Sequence, residues 1–300
     1  MKLYYSDHIE LKPSKGSKFP AQKYRLLREH LQQQSSLNLT FEQARKVSGT
    51  TLGLAHERTY VDAVFEGTLS KEEARKIGFP WSTQLLARSR CSVGATIAAC
   101  KSALLDGVSA NLAGGTHHAF ATHGAGYCVF NDVAVASRWL RKKHPDLRIL
   151  IVDADVHQGD GTAAILQKDP EIYTFSIHCM ENFPNRKQRS DLDVPLLAGT
   201  SDAEYLRQFE DALNRAVLAA RPNFVIYLAG ADPYLNDRLG RLDLTIDGLI
   251  RRDEIMYAEC RRLHIPAAIL MAGGYAQDIA DIISIHSNTI ITAQKMLGGG

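Results

Sequence analysis

Ile149-Leu150-Ile151-Val152-Asp153-Ala154-Asp155-Val156-His157-Gln158-Gly159-Asp160-Gly161 is the stretch on which the fold of this 300-residue chain turns. It opens with four aliphatic residues and no polar alternation, the pattern of a strand buried on both faces of a parallel sheet. The two-residue period of a strand sends Asp153, Asp155 and His157 to one side as the run ends. Adjacent buried carboxylates cost several kcal/mol each unless a cation or tight partners compensate them, and a divalent metal is the simplest such cation. Asp160 alone reads equally well as a helix N-cap before Gly161-Thr162-Ala163.

Similar apolar runs occur at residues 110–113, 172–177, 224–228 and 267–271, with helical stretches at 133–143, 203–220 (after a Ser201-Asp202 cap) and 246–263 between them. This alternation predicts an α/β fold with a doubly wound parallel sheet flanked by helices and an active site at the strand carboxyl ends. The first hundred residues read as helical after a short strand at 2–5. Pro20 opens a helix with Tyr24, Leu27 and Leu31 on one face, and residues 81–105 form a long helix. Residues 179–200 read as a long irregular loop of the kind that carries function. No linker or repeat interrupts the chain, so one domain is expected over residues 1–300, with Gly298, Gly299 and Gly300 frayed.

Three more strand ends carry chemistry. Leu228-Ala229-Gly230-Ala231-Asp232 delivers a carboxylate that, joined to Asp155 and His157, makes an Asp-His-Asp ligand set with positions left open, as in catalytic metal sites. Zn²⁺ is the first choice for such donors, with Fe²⁺ or Mn²⁺ as oxygen-tolerant alternatives. Leu112-Ala113-Gly114-Gly115-Thr116-His117-His118 presents two histidines, one able to act as general base and acid if a carboxylate fixes its tautomer. Ile269-Leu270-Met271-Ala272-Gly273-Gly274-Tyr275 offers a phenol to a developing oxyanion. In Gly126-Tyr127-Cys128-Val129-Phe130-Asn131-Asp132, Phe130 reads as core, and Asn131 or Asp132 as the cap of the next helix.

Composition excludes several classes of protein. Lys plus Arg number 35 against 33 Asp plus Glu, a net charge of +2 with no basic run, so no direct nucleic-acid partner is expected. No run of 18 apolar residues suits a membrane, and the amino-terminal segment lacks the apolar core of a secretory signal. Five scattered cysteines without a C-x-x-C pair argue against a disulfide frame or cysteine zinc site, and suggest a cytoplasmic setting.

In order and spacing, GGTHHA, GYCVFND, DADVHQGDGT, AGAD followed by DRLG, and AGGY resemble the zinc-dependent histone deacetylase family, which also holds bacterial acetoin-utilisation proteins and acetylpolyamine amidohydrolases. The likeness runs from about residue 20 to 275 and looks most like the class IV and bacterial branch. It implies the arginase/deacetylase fold, with Asp155, His157 and Asp232 as zinc ligands and His118 as general base and acid. His117 is then its electrostatic partner, Asp153 and Asp160 orient His117 and His118, and Tyr275 polarises the scissile carbonyl. Gly126, Tyr127, Phe183 and Leu239 would wall an acyl-lysine tunnel. Arg25 would be an arginine below the metal, and Ser176 with residues 153–157 a monovalent (K⁺) cation site. The implied substrate is an acyl-lysine protein or peptide. An acylated small amine such as an acetylpolyamine is the alternative, with Glu181, Asp191 and Asp193 as carboxylates at the mouth. A binuclear arginase-like centre, drawing on Asp153 and Asp237, ranks below both, as does an idle acyl-lysine-binding scaffold. Tyr127, Asp132 and the loop at 182–189 depart from the patterns of the class I enzymes.

Overall fold

A computed structural model describes residues 1–14 and 16–298. The reading of Gly299 and Gly300 as frayed therefore lies outside the described residues. In chain order the strands are β1 (Lys2–Tyr5), β2 (Thr40–Gln43), β3 (Val108–Asn111), β4 (Ile149–Asp153), β5 (Ile172–Cys179), β6 (Leu192–Leu196), β7 (Phe224–Leu228) and β8 (Ala267–Leu270). The helices are α1 (Lys23–Gln32), α2 (Gly49–Leu52), α3 (Arg58–Glu66), α4 (Lys71–Ile77), α5 (Thr83–Asp106), α6 (Asp132–Lys143), α7 (Asp160–Leu166), α8 (Asp202–Ala220), α9 (Ile246–Leu263) and α10 (Ile279–Leu297). All strands join one parallel sheet in the order β2-β1-β3-β8-β7-β4-β5-β6.

The continuous apolar runs have the predicted cause. In β4, Leu150 and Val152 belong to the core under α8, α9 and α10, whereas Ile149 and Ile151 belong to the opposite core with α3, α5 and α6. One strand feeds both cores, so no position is left for a polar residue until the strand ends. The four strands whose ends carry ionisable groups, β3, β8, β7 and β4, are consecutive neighbours at the centre of the sheet. Their carboxyl ends open onto one place, as open α/β sheets require of a ligand site.

Several local expectations change. The segment expected to be irregular from 179 to 200 contains β6, an edge strand that tolerates the exposed Pro195 because one of its sides has no partner to bond. Asp160 is the first residue of α7 with Gly159 at its N-cap, so its carboxylate is free for another task. Asn131, rather than Asp132, caps α6 by accepting from the Ala134 amide. Ser201 caps α8 without a side-chain hydrogen bond, and Asp202 instead accepts from Thr245 at the start of α9. Among the described residues, no helix is long and apolar enough to cross a membrane.

Candidate active site

After β4 the chain cannot continue as a strand, because its own carboxylates fold back on its amides. Asp153 Oδ1 accepts from the Asp155 amide at 3.2 Å, and Asp155 Oδ1 from the His157 amide at 2.9 Å. These short loops aim the acids inward. Asp155, His157 and Asp232 bring one ligand atom each within 4.8 Å of one another, and all three residues are buried. His157 Nδ1 lies 2.9 Å from Asp155 Oδ1 and 3.3 Å from Asp232 Oδ2. Asp232 Oδ1 accepts from the Val156 amide at 3.0 Å, and Asp155 Oδ2 from the Gly273 amide at 2.8 Å, which leaves Asp232 Oδ2 buried without a hydrogen bond. A Cβ at Gly273 would overlap that oxygen, so only glycine leaves the space open.

The charge of this cluster favours a cation. Burial and the neighbouring Asp155 push the Asp232 carboxyl up to about 7. Against its own desolvation, His157 is driven up to about 10 by Asp155 and Asp232, a proton standing where positive charge is required. An orphaned buried oxygen, two carboxylates and an imidazole nitrogen fit a divalent metal.

Beside this group the tandem histidines are each tied to their own acid. His117 Nδ1 pairs with Asp153 Oδ2 at 2.7 Å, and His118 Nδ1 with Asp160 Oδ1 at 2.7 Å, which leaves both Nε2 atoms for the cavity. The two rings lie 4.2 Å apart. Their environments differ. Burial and the nearby His117 hold His118 down to about 4, whereas Asp153 and Asp155 overcome burial to lift His117 to about 9. Asp132 braces the loop that carries them: its carboxylate accepts from the Gly115 amide at 3.1 Å and the Thr116 amide at 2.7 Å. Sequence reading offered Asp132 as a helix cap and assigned it no such role.

Tyr275 completes the group. Its ring sits 5.9 Å from that of Tyr127 and 6.5 Å from that of His157, and its hydroxyl makes no hydrogen bond within the described chain. Burial, and then Asp232 and Asp155, push the phenol well above its ordinary range, so it remains a donor. Backbone strain collects at this point: Tyr127 and Ala272, neither of them glycine, have φ of 65° and 53°.

A cavity of about 530 Å³ leads to these atoms, and Gly126, Tyr127, Phe183 and Leu239 all line it. Phe183, half exposed, meets the His118 ring edge-on at 4.8 Å. Gly126 lies so close to His118 and Phe183 that a Cβ there would strike the imidazole. Asn182, which the sequence did not single out, donates to Leu239 O at 2.6 Å and so ties two walls together.

One expected residue lies elsewhere. Arg25 is exposed and pairs with Glu29 at 2.9 Å, so it is not the cation beneath the site. That place belongs to Lys23, fully buried, whose ammonium donates to Ala272 O and Gly274 O at 3.3 Å each and faces the Tyr275 ring at 5.3 Å. Burial lowers it to about 8, with Asp232 and Asp155 opposing the drop. Lys23→Met leaves two buried carbonyls without a donor, each worth roughly 1–3 kcal/mol. The variant is expected to unfold several degrees lower in a thermal scan, and an unchanged midpoint would remove this role.

The carboxylates expected at a polyamine-binding mouth are also redirected. Asp191 accepts from the Thr174 amide and hydroxyl at 2.8 Å, and Asp193 from Gln158 at 2.8 Å and the Ser190 amide at 2.9 Å. Only Glu181 of the three lines the cavity. Asp237 accepts from the Leu239, Gly240 and Tyr275 amides, which commits it to the loop rather than to a second metal. Ser176 is buried, and its hydroxyl lies 2.9 Å from His178 Nδ1.

The loop that follows the tandem histidines is tied to the start of α6 by His56, which spans Phe120 O and the Asn131 amide at 2.9 Å each. Burial holds His56 down to about 4. The unfolded chain takes a proton near pH 6.5 that the folded chain refuses, so stability is full above that pH and falls as pH drops toward about 4. The loss from this one group approaches about 3 kcal/mol. Urea unfolding at pH 7.5 and 5 is expected to show a smaller pH effect in His56→Gln than in the unaltered chain, and equal effects would exclude His56 as the source.

Fold and site together define an α/β protein of the arginase/deacetylase type. A family model described as the histone deacetylase domain matches residues 17–290. The chain belongs to the histone deacetylase family and is a hydrolase of that family. It is 42% identical over 286 residues to an uncharacterized protein of Picosynechococcus, covering 95% of each chain. It is 35% identical to histone deacetylase 2 of Arabidopsis thaliana over 65% of this chain and 51% of that one. The acetoin utilization protein AcuC of Bacillus subtilis is 30% identical, over 77% of this chain and 63% of its own length. Among solved structures, a histone deacetylase homologue complexed with SAHA superposes with a TM-score of 0.81 at 23% identity, over 98% of this chain and 83% of that one, a likeness of fold.

Proposed function

We propose that this chain is a zinc-dependent lysine deacylase, most directly a deacetylase, acting on acyl-lysine in proteins or peptides in a reducing, cytoplasmic compartment. The observation that carries the reading is the convergence, at one cavity, of the Asp155-His157-Asp232 group, two acid-anchored histidines and an unbonded tyrosine hydroxyl. Asp155, His157 and Asp232 would hold the metal, which when bound supplies an activated water and a Lewis acid for the amide carbonyl.

The chain's own groups do the rest. Gly126, Tyr127, Phe183 and Leu239 enclose an unbranched side chain and exclude bulk water from around it. His118, neutral and held through Nδ1 by Asp160, receives a proton at Nε2 and returns it to the leaving amine. His117, drawn toward its charged form by Asp153, counters the negative charge that builds up beside it. Tyr275 donates to the acyl oxygen as it becomes anionic. Buried Ser176, beside the end of β4, supports a K⁺ site there that would steady the segment from Asp153 to His157.

Five free, buried cysteines support the reducing compartment. The engagement of Asp191 and Asp193 in hydrogen bonds with Thr174, Gln158 and the Ser190 amide, away from the cavity lining, supports a peptide over a polyamine. The deciding experiment is a panel of acetyl-, longer acyl- and trifluoroacetyl-lysine peptides with acetylated polyamines. Faster turnover of the peptides is expected, and a panel in which only the polyamines react would replace the substrate assignment.

A further inference from the structure

The mouth of the cavity carries its own charge pattern. Arg75, Lys76 and Arg241 line the cavity with exposed side chains, whereas Glu181 is the one exposed carboxylate among the described lining residues. These cations are built into the two walls. The Gly126 and Tyr127 amides donate to Lys76 O at 3.1 Å and Ile77 O at 2.8 Å, which fixes the end of α4 to one wall. Arg241 follows the opposite wall residue Leu239 by two positions, and its carbonyl accepts from the Gly199 amide at 2.8 Å.

Counter-charges are few. Arg75 and Arg241 have no carboxylate within 4.0 Å among the described residues, and Lys76 meets Glu72 at 2.9 Å in a fully exposed pair. Glu73 is occupied by the Ser70 amide at 2.7 Å in the capping box of α4, and Glu181 by the Ala198 amide at 3.0 Å. Leu197, two residues before the Gly199 whose amide bonds Arg241 O, and Met180, whose amide donates to Leu196 O, leave exposed apolar side chains, as does Phe183 in the cavity lining. A rim with unpaired cations on both walls matches a chain that brings negative charge on either side of the inserted residue.

We infer that the mouth selects acyl-lysines set in acidic polypeptide segments, with Arg75, Lys76 and Arg241 as the specificity-determining residues. The inference rests on the deacylase reading and narrows its substrate class. Basic tails and polyamines, both cations, meet repulsion at the same rim.

The test uses three acetyl-lysine peptides that differ only in having Asp, Ala or Lys on both sides of the acyl-lysine. Turnover and fluorescence-anisotropy binding are measured with the zinc-loaded chain at low and high salt. The Asp peptide is expected to have a KM about tenfold below that of the Lys peptide, with the gap closing at high salt. The double variant Arg75→Glu, Arg241→Glu is expected to reverse the order; because salt dependence is read on the unaltered chain, the test does not hang on that variant folding. Equal KM values for the three peptides, preference for Lys, or a gap indifferent to salt overturns the inference. Should the Asp peptide bind tightest while none is hydrolysed, the rim assignment stands and the deacylase reading fails.

Discussion

Tyr275→Phe is expected to lower turnover of an acetyl-lysine peptide by roughly a hundred- to a thousandfold while leaving KM and bound metal nearly unchanged. The ring should stay in place without its hydroxyl. It packs 6.2 Å from Phe19 and 5.9 Å from Tyr127, and its amide donates to Asp237 Oδ2 at 2.6 Å. Only the oxyanion donor is removed, so the loss belongs in kcat. Steady-state kinetics beside metal analysis checks this, and turnover within threefold of the unaltered chain would strip Tyr275 of the role.

Asp232→Asn is expected to abolish both metal retention and turnover. Asparagine keeps the oxygen that accepts from the Val156 amide, but it gives up the anionic Oδ2 that now lies buried and unbonded against His157. After dialysis the variant should hold roughly a tenth or less of the zinc held by the unaltered chain. A second readout is independent of chemistry: zinc should raise the thermal midpoint of the unaltered chain and leave that of Asp232→Asn where it was. Equal zinc stabilisation of both proteins would take Asp232 out of the ligand set.

Much of the site was legible because each part ends an apolar run. Asp155, Asp232, His117 and Tyr275 interrupt or follow strands that physics requires to be buried, and a polar group there needs a partner. Their meeting in space was expected once the runs were read as strands of one parallel sheet with its site at the carboxyl ends, and the sheet order makes the four strands neighbours. Lys23 escaped for an instructive reason. Lys23, Leu27 and Leu31 recur every four residues and are the buried residues of α1, so the lysine lies on the apolar stripe. Arg25, two positions on, is turned by about 200° to the other face. Periodicity could have chosen between them where motif alignment alone did not. β2 and β6 were missed because edge strands are partly exposed and lack the aliphatic run that marks the inner strands. Asp132 was passed over because its partners, the Gly115 and Thr116 amides, come from a distant loop that only the fold brings near.

The most direct test of the account is acetate release from an acetyl-lysine peptide by the chain stripped with a chelator and then titrated with zinc. Turnover should fall to background on stripping and return in proportion to metal, reaching its limit at about one equivalent per chain. Full turnover by the stripped chain would contradict a metal-dependent deacylase built on Asp155, His157 and Asp232.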